Sequence, residues 1–200
     1  MTLLDRALQQ WRIHKAARYL KAGDRVLDIG CANGTLFRQV HGLGESVGMD
    51  PDLELDHIPE FPNVRFIRGL FPQALLANEW PRMIFDAITM LAVLEHITPD
   101  QHFALVSGCA RLLRQGGQLI ITVPSPSVDH ILAVLTTIRL VDGMSLEQHH
   151  GFEPHQTADI FCAHGFQPIA HHRFQLGLNN LFVFQRDTTE APSPAGVRLS

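Results

Sequence analysis

The stretch Val26-Leu27-Asp28-Ile29-Gly30-Cys31-Ala32-Asn33-Gly34-Thr35 constrains the fold most. Val26, Leu27 and Ile29 form a short apolar, β-prone run, the pattern of a parallel strand covered on both faces. Gly30 can take backbone angles closed to other residues and lets a ligand approach the main chain. Gly34 and Thr35 then open a helix, whose free N–H groups favour an anionic group. The carboxylate of Asp28 sits just inside the turn. A ligand held here is therefore expected to carry a cationic end as well as an anionic one.

The rest of the chain repeats this strand-and-helix alternation. Leu4, Leu8 and Trp11, followed by Ala16, Tyr19 and Leu20, predict an amphipathic helix over residues 3–20. Arg12, Lys15 and Arg18 occupy its other face and read as solvated. Strands are predicted at 46–50, 64–68, 85–91 and 117–124, and a helix after Gly34 that ends near Gly42 and Gly44. Pro72 to Glu79 reads as a short helix. Thr98-Pro99-Asp100-Gln101 reads as a helix start, with Thr98 as N-cap and Gln101 completing a capping box. Phe103, Val106, Ala110 and Leu113 are expected on that helix's buried face, with Gly116 ending it. A further helix is predicted over 154–164. Two last strands, 168–175 and 180–185, are predicted to form a hairpin turned by Gly177 and Asn179-Asn180.

A length of 200 residues suits one domain, placed at 1–186, with 187–200 a disordered tail rich in Pro, Ser and Gly. The formal net charge of -4 offers no broad basic field, so no nucleic-acid partner is expected. Cys31, Cys109 and Cys162 are odd in number and form no C-x-x-C, which excludes a disulfide framework or zinc ribbon. The N-terminus has no signal-like apolar core, and no apolar run approaches membrane-spanning length. A cytoplasmic protein without an integral membrane segment is expected. The oligomeric state is left open.

The pattern Asp28-x-Gly30-x-Ala32-x-Gly34 resembles motif I of the class I S-adenosyl-L-methionine (SAM)-dependent methyltransferases, D-x-G-x-G-x-G, with Ala32 in place of the middle glycine. Asp50, then Leu94-Glu95-His96, then Gly116-Gly117, then the closing hairpin follow in the family's order. The nearest likeness is to small methyltransferases of the quinone-biosynthesis type. The resemblance implies an α/β, Rossmann-like fold with a seven-stranded mixed sheet, order 3-2-1-4-5-7-6, and helices on both faces. It implies SAM as cofactor and S-adenosyl-L-homocysteine (SAH) as product. Asp28, Gly30, Cys31, Ala32 and Gly34 would hold the cofactor at the first turn. The N-terminal helix would lie near the substrate mouth. Asp50, about twenty residues past the turn, stands where doubly wound folds place the acid that bonds a ribose diol. Met49 and Pro51 would flank the adenine. Gly69 and Leu70 follow the third strand, where many relatives carry an acid for the adenine amino group. With Leu70 there, adenine recognition is expected from main-chain groups and apolar contact. The main chain of Thr89, Met90, Leu91 and Ala92 would lie beside the sulfonium.

Methyl transfer needs a nucleophile held in line with the S–CH3 bond and water kept out. A hydroxyl acceptor also needs a base, and histidine suits that role near neutral pH. His96, just past the fourth strand, and His149 and His150 are the candidates. No metal site is expected: metal-dependent O-methyltransferases place an acid where this chain has Leu91. An insertion over about 125–153 is expected to form a helical lid. Its Ile131, Leu132, Leu135, Ile138 and Met144 point to an apolar or bulky small-molecule acceptor, glycan-, quinone- or lipid-like. The expected activity is SAM-dependent methylation of a small molecule or biosynthetic intermediate, with oxygen favoured as acceptor. One alternative is a SAM-binding module without catalysis. Another is an NAD-dependent oxidoreductase, whose G-x-G-x-x-G fingerprint, counted from Gly30, meets Ala32 and Thr35 instead of glycines. Asp28 would there repel the pyrophosphate.

Overall fold

The structure, a computed structural model, describes residues 3–77, 84–125 and 154–188. The lid insertion, with His149 and His150, and nearly all of the tail lie outside the described residues. Helix α1 (Leu3–Ala17) leads into β1 (Val26–Ile29), the short helix α2 (Thr35–Gln39) and β2 (Ser46–Asp50). Then come β3 (Val64–Arg68), α3 (Gln73–Ala77), β4 (Phe85–Leu91) and α4 (Pro99–Leu112). The chain closes with β5 (Leu113–Pro124), α5 (Gln156–Cys162), β6 (Phe166–Phe174) and β7 (Asn179–Arg186).

The seven strands form one sheet in the order β3-β2-β1-β4-β5-β7-β6, as expected. The pairs from β3 to β5 are parallel, and β7 runs antiparallel to both β5 and β6. Alternate residues of each strand face opposite sides. Leu27, Ile29, Ile88 and Met90 pack with α3, α4 and α5 through Leu75, Leu105, Cys109 and Phe161. Val26, Ala87, Ile120 and Val183 pack with α1 and α2 through Ile13, Ala16, Leu36 and Phe37. Each Val, Leu, Ile, Phe or Met among them contributes about 1.5–3 kcal/mol by leaving water.

Several local expectations are corrected. Helix α2 stops at Gln39, because Val40 already takes an extended conformation. Thr98 is the N-cap of α4, but its side chain makes no capping bond, so the capping box does not form. Phe103 is 69% exposed and lies edge-on to His164, while Val106 is buried as expected, beside Leu105, Cys109 and Leu112. Helix α4 stops at Leu112, not near Gly116, and Leu113 to Gly117 already belong to β5. The hairpin turns at Gln175, Leu176 and Gly177, all at positive φ, whereas Asn179 and Asn180 are buried in β7. There Asn179 donates to Gln175, which donates to the Leu8 carbonyl at 2.9 Å, and Asn180 donates to Ser125 at 2.9 Å. These bonds tie the hairpin to α1 and to the end of β5.

At the amino end of the sheet, Asp86 joins three strand starts. It accepts from the Arg25 backbone N–H and Nε, both at 3.0 Å, and from Arg114 Nε at 2.7 Å. Arg114 sits in the bulge where β5 shifts register against β4. Burial raises the Asp86 pKa, but the Arg25 and Arg114 bonds outweigh it and hold it below the usual carboxylate value. Its stabilisation is therefore present above the ordinary carboxylate pKa and lost as pH falls through the folded one. Asp86→Ala is expected to cost about 1–2 kcal/mol at neutral pH, since both guanidiniums are half exposed. In urea unfolding, the gap to the parent should narrow at about pH 3.

Candidate functional site

The site lies at the carboxyl ends of the parallel strands and is built around the turn after β1. Gly30 takes φ +75° and donates to the Met49 carbonyl at 2.8 Å, which also accepts from Cys31 N–H at 3.1 Å. Ala32 takes φ +46°, a left-handed conformation that costs a side-chain-bearing residue about 1–2 kcal/mol. Its N–H is bonded to Asp50 Oδ2 at 3.0 Å. Gly34, at φ +76°, stands at the start of α2 against Phe66. The turn is thus fastened to the end of β2.

A cavity of about 420 Å³ opens on one side of Gly30. Met49, Asp50 and Pro51 line it from the end of β2, Gly69 and Leu70 from the end of β3, and Ala92 and Val93 from the end of β4. Leu70 is 61% exposed and leaves that wall apolar. Asp50 Oδ1 accepts from the Asp52 N–H at 2.9 Å, so each Asp50 oxygen holds one backbone donor. A carboxylate has about four lone-pair sites, which leaves acceptor capacity toward the cavity. His96 lines the same cavity and is exposed.

A second cavity, about 50 Å³, lies on the other side of Gly30. Asp28, Cys31, Thr35 and Leu91 line it, with Gln9, Arg12 and Ile13 from α1. Asp28 is 3% exposed and accepts from Thr89 Oγ1 at 2.6 Å. Burial pushes the Asp28 carboxyl up to about 7; the Thr89 bond pulls it down and the charge of Asp50 adds to the rise. Burial, then Asp28 and Asp50, push the Cys31 thiol well above its ordinary range, so it stays protonated and is no nucleophile. A ligand lying across Gly30 would meet an acid and a guanidinium at one end and an acid in a largely apolar cleft at the other.

Of the sequence-predicted residues, Asp28, Gly30, Cys31 and Leu91 line the smaller cavity, and Gly30, Asp50, Pro51, Gly69, Leu70 and His96 the larger. Ala32 and Gly34 shape the turn between them. Thr89 is fully buried beneath Asp28, and Met90 packs in the core. Arg12, read as part of a solvated face, instead lines the smaller cavity. Sequence reasoning missed Phe71, Gln73, Val93 and, from α4, Gln101 and Leu105. Among the described residues no group of three His, Cys, Asp or Glu is placed to hold a metal.

Residues 4–171 match the family described as methyltransferase domain. The chain is 36% identical over 117 residues to a ubiquinone biosynthesis O-methyltransferase of Xanthomonas oryzae pv. oryzae, covering 54% of this chain and 46% of that protein. It is 34% identical over 120 residues to a tRNA U34 carboxymethyltransferase of Methylococcus capsulatus, covering 56% of this chain and 36% of the relative. The chain thus spans less than half the length of these curated relatives. Its fold is similar to magnesium protoporphyrin IX methyltransferase from Synechocystis with bound SAH. That similarity has a TM-score of 0.64 at 19% identity and covers 91% of this chain and 85% of that one.

A Cβ at Gly30 would lie 2.3 Å from Val93 Cγ2. Gly30→Ala should therefore cost more than the roughly 1–2 kcal/mol of left-handed strain alone. In a double-mutant cycle read by chemical denaturation, Val93→Ala should recover the clash and leave the strain.

Proposed function

Because the chain belongs to the family of methyltransferase domains, we propose that it transfers the methyl group of SAM to a small-molecule acceptor, with oxygen the favoured nucleophile. The observation that carries this is the meeting of two cavities at Gly30, one holding Asp28 and the other Asp50. The residues fit the cofactor. Asp28 complements its ammonium and Arg12 its carboxylate. Asp50 keeps acceptor capacity for the ribose hydroxyls, and the apolar walls at Met49, Pro51, Leu70 and Val93 suit a base. The cradle at Gly30 admits no Cβ. When bound, SAM supplies a sulfonium already activated for methyl loss, with SAH as product.

The protein's remaining tasks are to hold the acceptor, exclude water and take a proton. His96 on the rim of the larger cavity is the described residue suited to the last task. His149 and His150 are the other candidates. The formal charge of -4 favours a small acceptor over RNA. That charge does not exclude nucleic acid, since one relative is named as a tRNA-modifying enzyme. A methylation screen should therefore include tRNA beside phenolic and quinone-like metabolites. No helix among the described residues is long and apolar enough to cross a membrane.

Calorimetry with SAM and with NAD tests the cofactor. SAM is expected to bind in the micromolar range, on the order of -8 kcal/mol. Asp50→Ala should weaken it by roughly 1.5–3 kcal/mol. Tighter binding of NAD would sink the proposal. If a hydroxyl is methylated with His96 as base, His96→Ala should lower kcat about 10²–10⁴-fold while SAM affinity holds. An unchanged kcat would pass the role to His149 or His150, assayed in parallel, or leave transfer to proximity. SAM binding with no acceptor in any screen would favour a binding module.

A further inference from the structure

We infer that Thr89 is a positioning residue for the cofactor, its hydroxyl holding the Asp28 carboxylate toward the smaller cavity and serving that carboxyl group in both of its protonation states. The inference rests on the reading of Asp28 as partner of the cofactor ammonium. Asp28 and Thr89 are register partners in the parallel pair β1/β4, so their side chains leave the sheet on the same face, toward α1. The bond from Thr89 Oγ1 to Asp28 Oδ1 is 2.6 Å, within the range of O–H···O⁻ bonds. Thr89 is fully buried, so no water competes for its hydroxyl. As a β-branched residue in a strand it is stiff at χ1, which fixes where the oxygen stands.

The hydroxyl also has a second acceptor within reach, the Leu27 carbonyl at 3.5 Å. With Asp28 ionised, Thr89 donates to it. With Asp28 protonated, the carboxyl can donate to Thr89 Oγ1 while the Thr89 proton turns to Leu27. Arg12 reaches the cavity from α1, Asp50 acts from the end of β2, and the Cys31 thiol in the turn is neutral. Asp28 lifted to about 7 would hold its proton in mildly acidic solution and release one proton to solvent when an ammonium binds. Affinity should then rise with pH through that region. Thr89 favours the ionised form, so losing its hydroxyl should push this rise to higher pH.

The test is calorimetry with SAH from about pH 5.5 to 8.5, with the titration of the α-amino group of SAH itself measured in the same buffers and divided out. For the parent, affinity should climb through about 7. Buffers of different ionisation enthalpy should report proton release at the acid end. Thr89→Val keeps the shape and removes the donor. It should move the climb up by about one pH unit and weaken SAH about tenfold on the acid side. Thr89→Ala should shift it in the same direction, which covers a valine variant that does not fold. Thr89→Ser should restore the parent profile. A folded donor-less variant with the parent profile would overturn the inference. So would an equal loss of affinity at every pH, the mark of a purely structural role. A parent that binds SAH with no climb also overturns it and leaves the proposed function standing. A folded parent that does not bind SAH overturns both.

Discussion

The Met49 carbonyl accepts two N–H groups, from Gly30 and Cys31, and the site depends on that junction. It stops β1 from running on beside β2 and turns the chain out of the sheet at the strands' carboxyl ends. The next peptide is caught by the Asp50 carboxylate through Ala32 N–H. That charge-assisted bond, worth about 1.5–3 kcal/mol, offsets the strain of alanine in a left-handed conformation. One acid thereby both fastens the turn and faces the larger cavity. Asp50 as a loop-capping carboxylate and Asp50 as a ligand-facing carboxylate are compatible, because its two oxygens have more acceptor sites than the backbone uses.

The framework was legible where local sequence and burial agree. β2, β3 and β4 begin and end at the predicted residues: β2 and β4 are buried almost throughout and read as apolar runs, and the half-exposed edge strand β3 is cut off by Gly69. The first turn was legible for the same reason, its glycines marking positive φ. The face of α4 was not. Phe103 and Leu105 are both apolar at plausible helical spacing, and only the sheet beneath decides which is buried. Asn179 and Asn180 carry a turn signal, yet here their amides satisfy buried partners. Within the site, the residues attached to the turn were visible and those from distant elements were not. An arginine on the polar side of a helix looks the same whether it faces water or, like Arg12, a cavity. Gln101 and Leu105 enter only because α4 packs on the sheet face that the larger cavity opens on. His149 and His150 lie outside the described residues.

The placement of charge also separates the two ends of the sheet. At the amino end, Asp86 is surrounded by guanidinium donors that lower its pKa. At the carboxyl end, Asp28 is buried with the Thr89 hydroxyl as its donor and feels Asp50 as a like charge, and its pKa is raised. The same residue type is thus a settled anion in one place and a poised one in the other. The first arrangement holds strands together. The second stores an electrostatic cost that an incoming cation relieves.

That cost bears on which ligands the turn can accept. A pyrophosphate laid over Gly30 would add negative charge beside Asp28, with Arg12 of the same small cavity as the cation to offset it. Unit charges about 4 Å apart interact by roughly 4 kcal/mol at the effective dielectric of a partly buried site. An ammonium at the same place reverses the sign of that interaction and draws Asp28 into its ionised form. A sulfonium crossing the turn adds a second favourable charge. Asp28 therefore disfavours a pyrophosphate and favours a cationic group at that end, while Asp50, placed to bond a ribose diol, suits either kind of ligand. That selection rests on Asp28 at the end of β1, and the turn that carries a ligand past it needs the left-handed backbone of Gly30 and Ala32.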